Sequence, residues 1–117
     1  MVIPPGGRAV VPTGIKAQLA DADGDLAEIQ LRARSGLAAK NGLMLANGVG
    51  TVDFNYTGEI GAIVCNAGAE PFTVERGMRI CQMVVCPIFK PTVEEISADE
   101  LDATNRGASG FGSSGVK

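Results

Sequence analysis

Apolar and polar positions alternate over two stretches in the first third of the chain. Ile15, Ala17 and Leu19 interleave with Lys16 and Gln18, while Ala27, Ile29, Leu31 and Ala33 interleave with Glu28, Gln30 and Arg32. An every-other-residue pattern predicts strands with one dry and one wet face. Asp21-Ala22-Asp23-Gly24 supplies turn chemistry between them, so residues 15–20 and Ala27–Ala33 read as the two arms of a hairpin. Further strands are predicted at Leu43–Leu45 and at residues 59–65, 72–74 and 78–86, punctuated by Asn47-Gly48, Asn66-Ala67-Gly68 and Glu75-Arg76-Gly77. Both parities of 78–86 are mostly apolar, which predicts a strand covered on two sides, by a second sheet or by another subunit. Ser97-Ala98-Asp99-Glu100 has capping-box spacing and predicts one helical turn. From Asn105 onward no core-forming pattern remains, and a mobile tail is expected.

Composition narrows this to one small all-β unit. The chain has 117 residues, 16 glycines and 6 prolines, punctuation suited to short strands and tight turns rather than helices. No apolar run approaches a membrane span, and Met1-Val2-Ile3-Pro4-Pro5-Gly6-Gly7 lacks the basic and apolar regions of a secretory signal. Three cysteines, an odd number without paired spacing, suit a reducing compartment, so a cytoplasmic location is expected. A net charge of -3 argues against binding polymeric nucleic acid through a basic face. The absence of histidine removes the Ser-His-Asp triad, Cys-His pairs and histidine-rich zinc sites together. Acid-base work therefore falls to carboxylates, a bound metal or a partner.

Several motifs fail on context. Gly110-Phe111-Gly112-Ser113-Ser114-Gly115 matches G-x-G-x-x-G, but only two residues follow it, so no helix can present its N-terminus to a pyrophosphate. No Walker loop is present, since no Lys holds the required place after a glycine. Asp21-Ala22-Asp23-Gly24-Asp25 has its glycine in the wrong place for a calcium loop and reads as a turn. Asn55-Tyr56-Thr57 reads as a chance sequon, and Cys65, Cys81 and Cys86 read as small buried apolar side chains. Two segments carry more. Arg34-Ser35-Gly36 offers the guanidinium, hydroxyl and bare backbone that bind phosphate oxygens. The stretch from Asn47 to Tyr56 joins a glycine-rich hairpin to a carboxylate, Asp53, and an aromatic ring, although Asp53 accepting turn N–H groups and Tyr56 merely packing is an equally open reading.

Taken together, four segments resemble the trimeric deoxyuridine triphosphate nucleotidohydrolases, the dUTPases. They are Arg34-Ser35-Gly36-Leu37-Ala38, the run from Gly50 to Gly58, Gly77-Met78-Arg79-Ile80-Cys81-Gln82, and the run from Arg106 to Gly115, in family order and at family-like intervals. Pro12-Thr13-Gly14-Ile15 is also a family-like lead. The resemblance implies a jelly-roll-like β barrel assembled as a homotrimer, with residues 1–104 as the core and 105–117 as a lid, and with each active site shared between subunits. It implies that Asn47, Gly50, Thr51 and Val52 hold uracil, that Tyr56 stacks under deoxyribose and excludes a 2'-hydroxyl, and that Phe111 covers the base. Asp53 would bond the 3'-hydroxyl and position the water that attacks the α-phosphate. Arg34, Ser35, Gly36 and Gln82, with Arg106, Gly112 and Ser113 from the lid, would contact the phosphates. Mg2+ is expected on the substrate's phosphate oxygens.

The family's first motif, an Ala-Gly-x-Asp-Leu segment whose Asp anchors the magnesium water shell, would lie upstream of Val2 and is absent from this sequence. No protein metal ligand is therefore assigned, and the expectation is retained nucleotide binding with weakened magnesium-dependent turnover. Smaller departures are Ala33, Asn55, Met78, Cys81 and Ser109, where the family usually has Pro, Asp, an acidic residue, Ala and Gly. Two other readings compete with hydrolysis of dUTP to dUMP and diphosphate. One is a catalytically silent nucleotide-sensing module with a regulatory protein partner. The other is the related dCTP deaminase, disfavoured by Gly36-Leu37-Ala38 and by Tyr56.

Overall fold

A computed structural model describes residues 1–19 and 27–115 of the chain. Strands dominate its regular structure, eight among the described residues: β1 (Val2–Ile3), β2 (Arg8–Pro12), β3 (Ala27–Ala33), β4 (Leu43–Leu45), β5 (Gly50–Val52), β6 (Gly61–Asn66), β7 (Phe72–Thr73) and β8 (Cys81–Pro87). They form a pair, β1-β7, and two three-stranded sheets ordered β2-β6-β4 and β5-β3-β8, every neighbour antiparallel. The all-β expectation holds. Alternation decides what faces inward: Ile29 and Leu31 of β3, Leu43 and Leu45 of β4, and Ala62 and Val64 of β6 are buried. Ile3, Val11, Val52, Ile60 and Val74 complete a single core shared by all three sheets.

The predicted hairpin does not form. Both edges of β3 are taken, by β5 with Gly50 opposite Leu31 and by β8 with Gln82 opposite Arg32. No edge is left for residues 15–19, which form no strand, and Ala20 and the 21–25 turn lie outside the described residues. Ile15 instead accepts a hydrogen bond from the Ile60 N–H at 2.9 Å, and Ala17 and Leu19 pack against the core from the loop.

The short strands β1 and β2 escape the pattern because Pro4, Pro5, Gly6 and Gly7 interrupt it. An α-helix, α1 (Ser35–Asn41), adds to the one predicted turn, which is present as a 3-10 turn at Ala98–Glu100. Ala38, Ala39 and Lys40 favour the helix, and Gly42 closes it at φ 69°, donating its N–H toward Ala38 and Leu37. A Cβ at Gly42 would overlap the Gly68 backbone, so this cap demands glycine twice over. The cysteines are half-buried rather than fully buried, since Cys65 lies on the outer parity of β6 and Cys81 and Cys86 lie on an edge strand, where Cys81 still packs against the core.

Asn66 is the buried polar centre of the fold, 1% exposed. Its Nδ2 donates to the Ile3 carbonyl (3.0 Å) and the Glu70 carbonyl (2.8 Å), while its Oδ1 accepts from the Gly68 N–H (2.9 Å). One side chain thus ties the chain's beginning to the turn after β6.

Beyond β8 the chain leaves the barrel. Phe89, Val93 and Leu101 are 90%, 89% and 66% exposed. The radius of gyration is 19.3 Å, against about 13 Å for a compact chain of this length. Among the described residues no helix is long and apolar enough to cross a membrane.

Candidate functional site

The glycine-rich hairpin is built by β4, β5 and the turn between them. The Gly48 N–H donates to the Leu45 carbonyl at 3.0 Å and Gly48 takes φ 74°, which suits the Asn47-Gly48 pair. Gly50 lies against Leu31 across the ladder, where a Cβ would sit 3.2 Å from the Leu31 Cβ. The strand ends at Val52, and Asp53 opens a turn closed by the Tyr56 N–H donating to the Asp53 carbonyl at 3.0 Å. The Tyr56 hydroxyl then donates to the Glu59 carbonyl at 2.8 Å, laying the ring over Gly58, where any Cβ would overlap it. Asn47, Gly50, Thr51, Val52, Asp53 and Tyr56 all line one cavity of about 190 Å³, floored by Leu31, Ile60 and Ile63. Asp53 is exposed at its mouth.

Arg34, Ser35, Gly36 and Gln82 line a second cavity, of about 450 Å³, where β3 passes into α1. The Arg34 Nη1 donates to the Arg79 carbonyl at 2.7 Å, and the Gln82 Nε2 donates to the Ala33 carbonyl at 3.0 Å. These bonds orient both side chains while leaving other donors open. Leu37, Lys40 and Asn41 also line the cavity, and reading the sequence missed them because the helix that carries them was itself unread.

The two cavities share no lining residue. The remaining candidates join neither. Arg106 bonds its own turn, Nε to the Ser109 carbonyl at 2.9 Å, and Phe111 stands fully exposed at φ 49°, followed by Gly112 and Ser113. A third cavity, about 690 Å³, runs between residues 11–15 and 74–81 and contains none of the predicted site residues. Five residues of one motif-like segment, Gly77 to Cys81, and the lead from Pro12 to Ile15 line this groove.

Among the described residues no three metal-ligating side chains converge. The described side chains do not make a cage for Mg2+, which ordinarily needs about six oxygen ligands. Burial raises the Cys81 thiol above its ordinary value, which keeps it a thiol beside Gln82.

Fold and site define a small all-β protein with a narrow apolar-floored cavity next to a lone carboxylate, and a separate cavity rich in phosphate-type donors. Comparison with known proteins gives the same class. A dUTPase family model matches residues 1–115. The deoxyuridine 5'-triphosphate nucleotidohydrolase of Alkaliphilus metalliredigens is 48% identical over 116 residues, 99% of this chain and 76% of that protein. That of Rhizobium etli is 47% identical, over 99% of this chain and 70% of its own. Among solved structures, dUTPase from Streptococcus mutans is 30% identical with a TM-score of 0.68, covering 80% of this chain and 74% of that one. The G164S mutant of Staphylococcus bacteriophage 80alpha dUTPase with dUpNHpp shares the fold, with a TM-score of 0.82 at 24% identity over 99% of this chain and 80% of that one. The chain belongs to the dUTPase family.

Proposed function

We propose that this chain hydrolyses dUTP to dUMP and diphosphate, in a homotrimer whose sites combine the two cavities from different protomers. The observation that carries the reading is the gathering of the hairpin, Asp53 and Tyr56 around one cavity of about 190 Å³. Drug-sized pockets run from about 300 to 1,000 Å³, so this one suits a single pyrimidine ring. Backbone groups from Asn47 to Val52 face the base edge, and Tyr56 lies against the sugar, where its fixed ring leaves no room for a 2'-hydroxyl.

Asp53 accepts a proton from a water that attacks the α-phosphorus. The bond from that phosphorus to the bridging oxygen breaks and diphosphate leaves. Arg34, Ser35, Gly36 and Gln82 of a neighbouring protomer, with Arg106, Gly112 and Ser113 from the tail (residues 105–117), hold the phosphates, and Phe111 closes over the base. Mg2+ would be held by the substrate's phosphates rather than by a cage of these side chains, and would supply charge neutralisation there.

Three features support assembly. Met83 and Val85 of the edge strand β8 are 51% and 55% exposed, which supports another subunit as the second cover expected for this strand. The arm after β8 carries apolar side chains into solvent. The tail candidates reach neither cavity of their own chain. Three free thiols fit a reducing cytoplasm, and the net charge of -3 fits a partner no larger than a nucleotide.

The test is Asp53→Asn. It keeps affinity for a non-hydrolysable dUTP analogue while diphosphate release falls about 100-fold or more. Undiminished release removes Asp53 from this role.

A further inference from the structure

Lys40 lines the cavity that holds Arg34, Gly36 and Gln82, and no carboxylate lines it with them. We infer that Lys40 reads the outer phosphates of the nucleotide, making it a residue that separates the triphosphate from the monophosphate. The inference rests on the proposed nucleotide site.

Three observations lead there. Lys40 follows Gly36 by four residues on α1, so the two share a face, and from a Cα about 6 Å further along the helix its flexible stem carries the ammonium within the same cavity as the Arg34-Ser35-Gly36 donors. Secondly, Gly36 is a poor helix former kept where neither packing nor backbone asks for it: a Cβ there meets nothing within 4 Å, and its φ is not positive. The bare backbone leaves open space beside Lys40 in the same cavity. Thirdly, Arg34 and Gln82 each spend a donor on the protein, at 2.7 and 3.0 Å. Lys40 is exposed and, among the described residues, has no ion-pair or hydrogen-bond partner, so all three of its donors remain for a ligand. The competing role, complementing the C-terminal end of a short helix, predicts a change in stability with no preference among nucleotides.

The experiment uses the full chain as wild type, Lys40→Ala and Lys40→Arg, and measures calorimetric affinities for dUpNHpp and for dUMP at one salt concentration. Lys40→Ala is expected to weaken dUpNHpp about tenfold while dUMP stays within about twofold, and Lys40→Arg to restore most of the loss. Unchanged dUpNHpp affinity in Lys40→Ala, or a parallel loss for both nucleotides, overturns the inference. Wild-type protein that binds neither nucleotide overturns the site reading and this inference with it. Wild-type binding with an unaffected Lys40→Ala overturns only the latter.

Discussion

Gly58→Ala tests how the ring of Tyr56 is held. A Cβ at residue 58 would stand 2.6 Å from the Tyr56 Cζ and would overlap the hydroxyl oxygen more severely. Moving Cζ back to an ordinary 3.4 Å contact displaces the ring by about 0.8 Å, and the hydroxyl, now 2.8 Å from the Glu59 carbonyl, leaves hydrogen-bond range. The lost bond is worth about 1 kcal/mol, roughly fivefold. The displaced ring adds to that, because a 1 Å error in positioning costs up to about 100-fold. Tyr56→Phe removes the bond and leaves the ring, so it isolates the smaller effect. In a diphosphate-release assay with dUTP and UTP, Tyr56→Phe is expected to lower the dUTP preference about threefold to fivefold and Gly58→Ala at least tenfold. The melting temperature moves little in both, because Tyr56 is 45% exposed and sits outside the core. Gly58→Ala with wild-type discrimination, or with a smaller loss than Tyr56→Phe, would refute the reasoning.

Three further outcomes follow from the geometry. Asn66→Ala strands the buried Ile3 carbonyl, removes the partner of the part-buried Glu70 carbonyl and Gly68 N–H, and is expected to cost about 3 kcal/mol, lowering the melting temperature by roughly 10 °C at fixed protomer concentration; a loss under about 1 kcal/mol contradicts this. Burial lifts the Cys81 thiol above 9.0, so its alkylation by iodoacetamide, followed by mass spectrometry, still accelerates as pH rises past 9.0, and a plateau below that pH argues against it. The Glu100 carboxylate accepts from the Ser97 N–H and hydroxyl, each at 2.8 Å, and these bonds hold it below its ordinary 4.5. A lowered folded value means that the cap is complete above pH 4.5 and opens only as pH falls below it; a Ser97 amide resonance titrating at or above 4.5 contradicts that.

Alternation made β3 and β4 legible to the residue, because each has one buried face and no special backbone. It failed at residues 15–19, where the same alternation packs from a loop, since partner edges rather than pattern decide whether a strand forms. α1 stayed hidden because Gly36 reads locally as a breaker, while the Gly42 cap that ends the helix depends on Gly68, distant in sequence. The hairpin, Asp53 and Tyr56 were legible as a group because they are contiguous. Ile60 and Ile63, which floor their cavity, look like any strand residue, and Asn66 looked like a turn residue until its three partners converged.

Shared sites are tested most directly by mixing two inactive variants. Asp53→Asn protomers retain Arg34, and Arg34→Ala protomers retain Asp53. Refolded together in equal amounts, a trimer with sites formed across protomers recovers about one quarter of wild-type diphosphate release, because each intact half is present with a probability of about one half. Activity no greater than that of the two variants refolded separately would mean that each chain builds its site alone.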